Sequence, residues 1–474
     1  MKNTTYADWL KTERTLDIRG KVGNRSLNRF EFEFDASDVV TYSIHSSLSG
    51  SGVSVGNVTS ATYSLELSKD WEHCDEYLQV SRQMDLGANV AKFVISVEIG
   101  IETPNGWKYE PFGRWLVDGV SGDDSLSTTI QITGMDALDS LSEMLIRDTS
   151  SYGNGQTSVP ALLKRICEHL PYVSGCNVPA YDLVNYWNMQ YVTWGNDPTV
   201  PGNKLLYEYR PMWGGIKDGK PYWVSNPSSM LASTASLRLA NVRTAMDGYV
   251  EVVQPELKYP QAIGTDYIID MDIDRTRWFD IDTVVFQYNP VDPVSVNDDG
   301  EAEYNQGSDM RYVKLCRNGS PKQYKGSAIL IEADTLNPFA WILERGYIGG
   351  IGNGIAGSGM NGYPDFARRV RNIVSGTVNY IGVPDLLAGD LVLVKGVSDS
   401  NETVEHRLFL TDVSYTFDGG LSCTLTCNLE NPYDPIYLEN EETFIQNMDE
   451  EREFDSPVKE DIPDIEDFDP DDIF

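Results

Sequence analysis

Alternation of apolar and polar residues is the feature that most constrains how this chain can fold. In residues 421–429, Leu and Cys occupy every odd position, and Ser, Thr and Asn occupy the even ones. Successive side chains of a β-strand point to opposite faces, so this spacing predicts a strand with one buried and one polar face. The same spacing recurs in residues 30–34, 63–67, 93–99 and 130–132. The chain is therefore predicted to be mainly β.

Helical spacing, turn residues and changes of composition divide the chain further. Helices are predicted at about 136–146 and 158–170 from apolar stripes, and at 227–239 from Asn226-Pro227. Asn105-Gly106 predicts a tight turn, and Asp247-Gly248 predicts a hairpin at 242–253. A chain of 474 residues allows about three domains. The predicted order is an N-terminal arm at 1–27, a first β unit at 28–147, a mixed α/β domain with an aromatic-rich insert at 148–255, a second β unit made of 256–335 and 377–435, a helical insert at 336–376, and an acidic C-terminal tail at 436–474.

Charge excludes one class of function. The chain has 72 acidic and 37 basic residues and a net charge of −35, of which residues 436–474 carry −14. Such a field repels DNA and anionic membranes and argues against a protein that grips phosphates. It is compatible with a surface past which DNA slides without binding. For the tail, two interpretations stay open: a disordered solubilising segment, or an arm that folds into a basic groove of a partner.

Cysteine is too sparse for a disulfide framework, with six residues in the chain. Cys423 and Cys427 lie four steps apart in one predicted strand. This places their Cα atoms about 13 Å apart, beyond the roughly 7 Å that a disulfide spans. The N-terminus has no apolar signal segment, and the chain has no run of 18 apolar residues, so we expect neither secretion nor a membrane span. Buried, inert thiols in a reducing cytoplasm are therefore expected.

Signals for a cofactor are weak. Gly352-x-Gly354-x-x-Gly357 matches the dinucleotide fingerprint, but it follows no convincing strand and lies in a glycine-rich run. A flexible loop is the favoured interpretation, and no cofactor is predicted.

Signals for a metal or for catalysis are equally weak. His73-Cys74 lacks the second pair of ligands that a tetrahedral zinc site needs. Asp270 and Asp272 offer oxygen ligands for Ca²⁺, but their period-2 spacing favours the polar face of a strand. No nucleophile, base or metalloprotease motif is recognisable. The sequence thus predicts a structural protein with no metal and no catalytic residues.

One stretch, residues 111–141, resembles the end of the first barrel of baseplate-hub or tail-tip hub proteins of tailed bacteriophages. Those proteins show a Gly-aromatic strand, then a Thr-rich strand, and then an Asp that precedes a helix. The matching residues are Phe112, Gly113, Arg114, Trp115, Val117, Asp118, Thr128, Thr129, Ile130, Asp136, Ala137 and Leu138.

A second stretch, residues 382–430, is similar to the closing barrel of the same hubs, in which a Gly-x-Pro turn leads into the last strands. The matching residues are Gly382, Pro384, Leu386, Gly389, Asp390, Thr411, Val413, Phe417, Gly420, Leu421 and Glu430. The aromatic insert at 171–225 has no counterpart in the family pattern.

The resemblance implies a mainly β fold with α+β inserts, in which two tail-tube-like antiparallel β-barrel domains accompany two smaller mixed domains. It implies a homotrimer whose six barrels adapt the six-fold tail tube to a three-fold tip and continue the DNA channel. The implied partners are a tail-tube or distal-tail ring above and a tip, spike or fibre protein below. The implied location is the tail tip or baseplate of the virion, assembled in the host cytoplasm, where DNA passes during ejection without specific binding.

Two other functions stay open. A peripheral receptor-binding protein would stack sugars on the aromatic side chains of the insert. Those side chains are Tyr186, Trp187, Tyr191, Trp194, Trp213, Tyr222 and Trp223. A tail-associated cell-wall hydrolase would use a pair of carboxylates, which 72 acidic residues neither identify nor exclude.

Overall fold

A computed structural model defines the fold over part of the chain. The described residues are 8–9, 11, 13–24, 31–48, 57–85, 93–122, 126–138, 156–157, 164, 167, 173–177, 192–193, 214–217, 220–223, 231–232, 235, 240–253, 261–264, 267–273, 281–288, 291–296, 302–306, 311–316, 327–332, 375–397 and 403–429.

Strands dominate the described residues, so the prediction of a mainly β chain is confirmed. The strands are β1 Leu16–Asn24, β2 Glu31–Phe34, β3 Val39–Ser47, β4 Ala61–Ser68, β5 Phe93–Thr103, β6 Gly106–Ser121, β7 Thr129–Met135, β8 Gln156–Thr157, β9 Gly175–Asn177, β10 Val192–Thr193, β11 Gly214–Lys217, β12 Lys220–Trp223, β13 Asn241–Thr244, β14 Tyr249–Val253, β15 Gln261–Gly264, β16 Ile268–Ile273, β17 Ile281–Tyr288, β18 Val291–Val296, β19 Ala302–Gln306, β20 Arg311–Cys316, β21 Ser327–Glu332, β22 Ser375–Tyr380, β23 Leu391–Val397, β24 Thr403–Phe417 and β25 Leu421–Leu429. Among the described residues, one helix has both of its ends defined, α1 at Cys74–Asp85.

Thirteen of these strands form a single sheet. Its order is β16-β22-β25-β24-β3-β4-β7-β6-β5-β1-β2, with β23 pairing β24 and β15 pairing β23 beside this path. Within the described part of the chain this path is open, and no closed barrel is present. The smaller sheets are β13-β14-β9, β20-β17-β21, β18-β19, β11-β12 and β10-β8.

Period-2 burial produces the core of the large sheet. In β25, Leu421, Cys423, Leu425 and Cys427 are buried, whereas Ser422 and Thr424 are exposed. Strand β4 alternates in the same way, with Tyr63, Leu65 and Leu67 all in the core. Removing these side chains from water stabilises the sheet by roughly 25 cal/mol per Å² of apolar surface.

Helix α1 was not predicted from the sequence. Its Cys74, Tyr77 and Leu78 have helical spacing and are buried, with Tyr77 packing edge-on to Phe32 at 5.8 Å between ring centroids. Acidic residues in its first turn and Arg82 in its last favour the helix dipole. Its sequence signal is a single short apolar stripe between long strands. A wider stretch of sequence therefore shows mainly the periodicity of strands.

Two predicted turns are confirmed and three predicted helices are described only in part. Strands β13 and β14 pair around Asp247-Gly248, and Gly106 turns β5 into β6 with a φ of 97°. At 136–146, Ala137 and Leu138 form a turn, and the rest lies outside the described residues. At 158–170 the described Lys164 and Cys167 are helical, as are Leu231, Ala232 and Ala235 at 227–239.

Several strands belong to sheets other than those that the predicted domain boundaries suggest. Within the predicted arm, β1 pairs β5 antiparallel from Leu16↔Ile101 to Asn24↔Phe93. Of the strands between 256 and 335, β15 and β16 join the large sheet, whereas β17 to β21 form two smaller sheets. Residues 436–474 lie outside the described part.

Truncation of a buried residue in β25 tests the alternation. We expect Leu425→Ala to lower the free energy of unfolding by about 2 to 5 kcal/mol, because Leu425 is fully buried and its removal leaves a cavity. Ser422→Ala, on the exposed face of the same strand, is expected to change it by less than about 0.5 kcal/mol. Urea unfolding followed by tryptophan fluorescence measures both, and equal losses would contradict the assigned faces.

The buried thiols give a second test. Burial raises the pKa of the Cys427 thiol to about 12. The thiol also contacts the Gly376 carbonyl oxygen at 3.3 Å. Because only the thiolate is nucleophilic, iodoacetamide at pH 8 should leave Cys427 unmodified in the folded protein. The partly exposed Cys176 should react. Peptide mass spectrometry measures both sites, and equally fast labelling of Cys427 would contradict its burial.

Candidate functional site: the junction between two sheet units

The large sheet contains the same five-strand arrangement twice. Unit one consists of β3 to β7 and has the spatial order β5-β6-β7-β4-β3. Unit two consists of β16 and β22 to β25 and has the order β23-β24-β25-β22-β16. Every neighbouring pair in both units is antiparallel. The chain thus repeats one topology, with matching sequence order and matching spatial order.

Irregularities of the strands also match between the units. Each unit has one long strand, β6 or β24, whose first part pairs the preceding strand and whose last part pairs the following one. The last part is bulged between Val117 and Gly119 in β6 and between Leu410 and Asp412 in β24. The first strands are bulged near their starts, at Val39/Thr41 in β3 and Ile268/Asp270 in β16. One bulge inserts one residue and re-aims a strand, so shared bulges indicate shared local geometry.

The units differ between their second and third strands. Unit one has helix α1 there, and unit two has the loop 381–390, which contains the second family-like motif.

Strands β3 and β24 join the two units edge to edge. Their antiparallel register runs from Ser47↔Asp412 to Tyr42↔Phe417. His45 Nε2 lies 2.6 Å from Asp412 Oδ2 across the pair, but both side chains are partly exposed and the contact contributes little. Backbone pairing and the aromatic side chains beneath it hold the junction.

Three aromatic rings pack across the junction on its buried side. Phe112 of β6 packs edge-on to Tyr42 of β3, at 5.5 Å between centroids, and to Tyr415 of β24, at 5.4 Å. Edge-to-face pairs of this kind contribute about 0.5 to 1.5 kcal/mol beyond the area they bury. The first family-like motif therefore contacts unit two directly through Phe112.

Hydrogen bonds orient these rings. Trp115 Nε1 donates to the Tyr42 hydroxyl at 2.6 Å, and that hydroxyl donates to the Phe112 carbonyl oxygen at 2.9 Å. Burial raises the pKa of Tyr42, so its hydroxyl keeps the proton that it donates. Trp115 also stacks on Tyr63 at 5.5 Å. Gly113 has a φ of 133°, and a Cβ there would lie 2.1 Å from Trp115 Nε1, so only glycine fits beside the indole.

The second motif folds around the hydroxyl of Tyr415. That hydroxyl accepts from the Leu386 backbone N–H at 3.0 Å and donates to the Val383 carbonyl oxygen at 2.7 Å. Gly389 has a φ of 92° and donates its backbone N–H to the Leu410 carbonyl oxygen at 2.8 Å. Tyr415 therefore links the aromatic junction to the loop 381–390.

Arg243 connects the hairpin β13–β14 to the same loop. Its guanidinium donates to Glu251 Oε1 at 2.6 Å, to Asp390 Oδ1 at 2.9 Å and to the Ala388 carbonyl oxygen at 2.9 Å. Burial acts to lower the pKa of Arg243, but the carboxylates of Asp390 and Glu251 outweigh it and raise the pKa above its usual value. The buried group therefore stays charged, and each of its three nitrogens has a hydrogen-bond partner.

The other side of this hairpin contacts unit one. The Thr59 backbone N–H donates to the Val242 carbonyl oxygen at 2.8 Å, and the Val242 N–H donates to the Asn57 carbonyl oxygen at 2.8 Å. Both contacted residues lie just before β4. The hairpin therefore contacts both units, unit two through Arg243 and unit one through Val242.

Arg14, just before β1, fixes the N-terminal segment to unit two. Its guanidinium donates to the carbonyl oxygens of Trp9 and Gly382 at 2.7 Å each, to that of Leu421 at 3.0 Å and to that of Ile381. Burial lowers the pKa of Arg14 to about 10, so the group is charged at neutral pH. Four carbonyl dipoles replace the water that it loses.

The remaining motif residues have structural surroundings. Asp136 is buried and accepts from the backbone N–H groups of Ala61 and Leu138 at 2.9 Å each, which ties the end of β7 to the start of β4. Pro384 is buried in the loop 381–390. Asp118 is exposed on β6.

Three further motif residues lie away from the junction or outside the description. The side chain of Arg114 lies against Gly248, where a Cβ would approach its Cδ to 2.5 Å. Gly420 lies in the exposed β24–β25 turn. Glu430 lies outside the described residues.

Sequence reasoning missed Tyr42, Tyr415, Arg14 and Arg243 as junction residues. Tyr42 and Tyr415 fit the alternation but look like any core aromatic. Arg243 interrupts an apolar hairpin strand, which is a usable signal because a charge there needs buried partners. Arg14 gives no local signal, since three of its four carbonyl partners, Ile381, Gly382 and Leu421, come from distant segments.

The described residues hold no group of three or more His, Cys, Asp or Glu side chains placed to bind a metal. Asp270 and Asp272 are exposed at alternate positions of β16. The glycine-rich 352–357 lies outside the described part, as do the side chains of the aromatic insert. Among the helices described, none has the length and apolarity needed to cross a membrane.

Removal of the Arg243 charge tests the hairpin contact. We expect Arg243→Met to lower the free energy of unfolding by about 3 to 5 kcal/mol, because the buried Asp390 and the largely buried Glu251 would lose their counter-charge. Arg19→Met is the matched control, since Arg19 pairs with Glu98 where both side chains are about half exposed. It should cost less than about 1 kcal/mol in the same urea titration. Similar losses for both variants would contradict the assigned role.

Comparison with known proteins gives structural similarity only. No family model matches the chain, and no curated protein matches it significantly. A 43 kDa tail protein of prophage MuSo2 from Shewanella oneidensis is 11% identical with a TM-score of 0.43, over 90% of this chain and 98% of that one. A tail protein from Neisseria meningitidis is 12% identical with a TM-score of 0.42, over 88% and 97%.

A third solved structure is an Escherichia coli component of the type VI secretion system, described as structurally similar to the bacteriophage T4 tail proteins gp27 and gp5. It is 8% identical with a TM-score of 0.33, over 83% of this chain and 74% of that one. At identities and TM-scores this low, the similarity does not by itself establish a shared fold.

Proposed function

We propose that this protein is a structural hub of a phage tail tip or baseplate. Three copies form a ring that adapts the six-fold tail tube to a three-fold tip and continues the DNA channel. A tail-tube or distal-tail ring lies above it, and a tip, spike or fibre protein lies below it. The protein has no catalytic role, and DNA passes through during ejection without specific binding.

The observation that carries this proposal is the repeated five-strand topology within one continuous sheet. A chain that must match six tube subunits with three copies needs two equivalent modules side by side. Units one and two supply two modules of the same strand order, joined by β3 and β24. The two stretches that resemble hub proteins meet at this junction, where Phe112 contacts Tyr415 at 5.4 Å.

The net charge of the chain and the polar faces of its strands support the proposed DNA channel. The exposed faces of β4 and β25 carry polar residues such as Thr62, Ser422 and Thr424, which suit a solvated wall. Each Lys or Arg on such a wall would hold a phosphate by releasing counterions. A chain with a net charge of −35 instead repels DNA and lets it slide.

Mass measurement in solution tests the proposal. We expect multi-angle light scattering of the purified chain to give three times 53.0 kDa, and negative-stain images to show a ring with three-fold symmetry. In tail particles, antibodies against the chain should label the tail axis at its tip. A protein that stays monomeric and lies off the axis would overturn the proposal.

A further inference from the structure

We propose that the outer face of the β5–β6 hairpin binds an arginine side chain of a partner protein, at a site formed by Trp107, Glu102 and Thr15. These three residues are called the Trp107 site. The arginine stacks on the Trp107 ring, and its guanidinium pairs with the Glu102 carboxylate. This inference does not rest on the proposed hub function, because the contact needs neither three copies nor a channel.

Trp107 offers an open aromatic face at the start of β6. It follows the tight turn at Gly106, and 43% of its surface is exposed. Among the described residues its ring contact is with Tyr109, at 6.3 Å between centroids and 29° between planes. The two rings therefore form a continuous aromatic surface, with Trp107 at its solvent-facing end.

The neighbouring ring shows how this face holds an arginine. The Arg19 guanidinium lies over the Tyr109 ring, 3.6 Å from its centroid, and donates to Glu98 Oε2 at 2.8 Å. The Tyr109 hydroxyl donates to Asp17. Opposite Tyr109 on β5 is Gly100, where a Cβ would approach Tyr109 Cε1 to 2.7 Å, so the ring lies against the backbone. An aromatic ring and a carboxylate from neighbouring strands thus hold one cation.

The Trp107 site repeats the ring and the carboxylate without the cation. Glu102 lies directly opposite Trp107 in the strand register, and both side chains are exposed. On the other side of Glu102 is Thr15, whose carbonyl oxygen accepts from the Glu102 backbone N–H at 3.1 Å. A short neutral residue therefore lies beside Glu102, where Arg19 lies beside Glu98. Within the described part of the chain, no hydrogen bond or ion pair engages the Glu102 carboxylate.

A cleft beside Glu102 gives room for an incoming side chain. It has a volume of about 310 Å³ and lies between the N-terminal segment and the end of β5, with Glu102, Glu13 and Asp8 in its wall. The two basic residues of the wall are engaged elsewhere, Lys11 by Asp8 at 2.6 Å and Arg14 by carbonyl oxygens. Glu13 and Glu102 therefore leave the cleft negatively charged, which favours a cationic occupant.

Arginine matches this chemistry more closely than other side chains do. Its planar guanidinium stacks on aromatic rings, most favourably on Trp, and pairs with carboxylates through two parallel hydrogen bonds. Trp and Arg are also the residues enriched at the energetic centres of protein interfaces. The net charge of −35 attracts a basic partner at long range. The occupant is therefore an arginine in a basic segment of a partner protein.

Fluorine NMR of the full chain labelled with 5-fluorotryptophan tests the site, with N-acetyl-arginine amide as the probe. The chain has ten tryptophans, and the Trp107 signal is the one missing from Trp107→Phe. We expect this signal to shift on titration to about 20 mM, a range that covers the weak affinity of one side chain. N-acetyl-citrulline amide, which has a similar shape without the charge, should leave the signal in place. No shift with the arginine probe, or equal shifts with both, would overturn the proposal.

Removal of the Glu102 charge separates the ion pair from general attraction to an acidic protein. Glu102→Gln should raise the dissociation constant of the probe, measured at the Trp107 signal, by about fivefold or more, since a charge-assisted pair is lost. Glu72→Gln removes the same charge from a side chain that is 83% exposed elsewhere, and should leave the constant unchanged. Equal weakening by both variants would overturn the site.

Saturation transfer from the aromatic protons of the protein to the δ-methylene of the probe tests the ring itself. Trp107→Leu should abolish most of this transfer, because the ring on which the guanidinium stacks is gone. Tyr249→Leu is the matched control, since Tyr249 is also 43% exposed, and it should retain the transfer. Full transfer in Trp107→Leu would overturn the stacking.

An arginine built into the chain gives an independent test. Thr15→Arg places a guanidinium beside Glu102, as Arg19 lies beside Glu98, and should abolish the shift that the added probe causes. Thr15→Gln controls for the size of the new side chain and should still bind the probe. Undiminished binding to Thr15→Arg would overturn the assigned position of the cation.

A saccharide stacked on Trp107 is the competing outcome. The arginine shift should weaken as sodium chloride is added, because salt screens the ion pair. Glucose or N-acetylglucosamine should not move the Trp107 signal. A sugar-induced shift that survives both Glu102→Gln and added salt would overturn the proposal in favour of a sugar site. Light scattering reports the number of copies separately, so failure of this inference and failure of the hub proposal are distinguishable.

Discussion

The antiparallel pairing of β3 with β24 is the constraint on which the rest of the structure depends. It converts two five-strand units into one sheet, through two strands that are separated by more than three hundred residues in sequence. Backbone hydrogen bonds give this contact its direction, and the aromatic packing of Phe112 against Tyr42 and Tyr415 removes its inner side from water. Because the rings come from both units, neither unit completes its own core at this edge.

Buried guanidinium groups reinforce the same junction from two sides. Arg243 places the hairpin β13–β14 against the loop 381–390, and Arg14 holds the N-terminal segment against the start of that loop. A buried ion pair contributes little net free energy to folding. Other arrangements of the chain are disfavoured, however, because they would leave the buried charge unpaired. These contacts thus fix the relative position of segments in a strongly acidic chain. Together with the Tyr415 hydroxyl, they hold the loop 381–390 in place.

Repetition links this architecture to the proposed hub. Units one and two share strand order, a divided long strand and matched bulges, and they differ where α1 in one replaces a loop in the other. A module present twice can satisfy six positions with three chains. The contact between the two modules of one chain is observed, in the pairing of β3 with β24. Function in this view lies in edges and faces, with no reactive group required.

The sequence by itself determined the strands and their faces, because side-chain burial alternates with a period of two and nearby residues carry that signal. It also determined the tight turns at Asn105-Gly106 and Asp247-Gly248, where the turn needs residues of that kind. Only the tertiary structure decided which strands are neighbours, that β1 belongs to the sheet, and that Phe112 and Tyr415 meet. Strand pairing and the partners of Arg14 and Arg243 depend on contacts between distant segments. Alternation looks the same in every strand, so it does not show which strands are neighbours. The repeat was therefore visible in topology and absent from the pattern of residues.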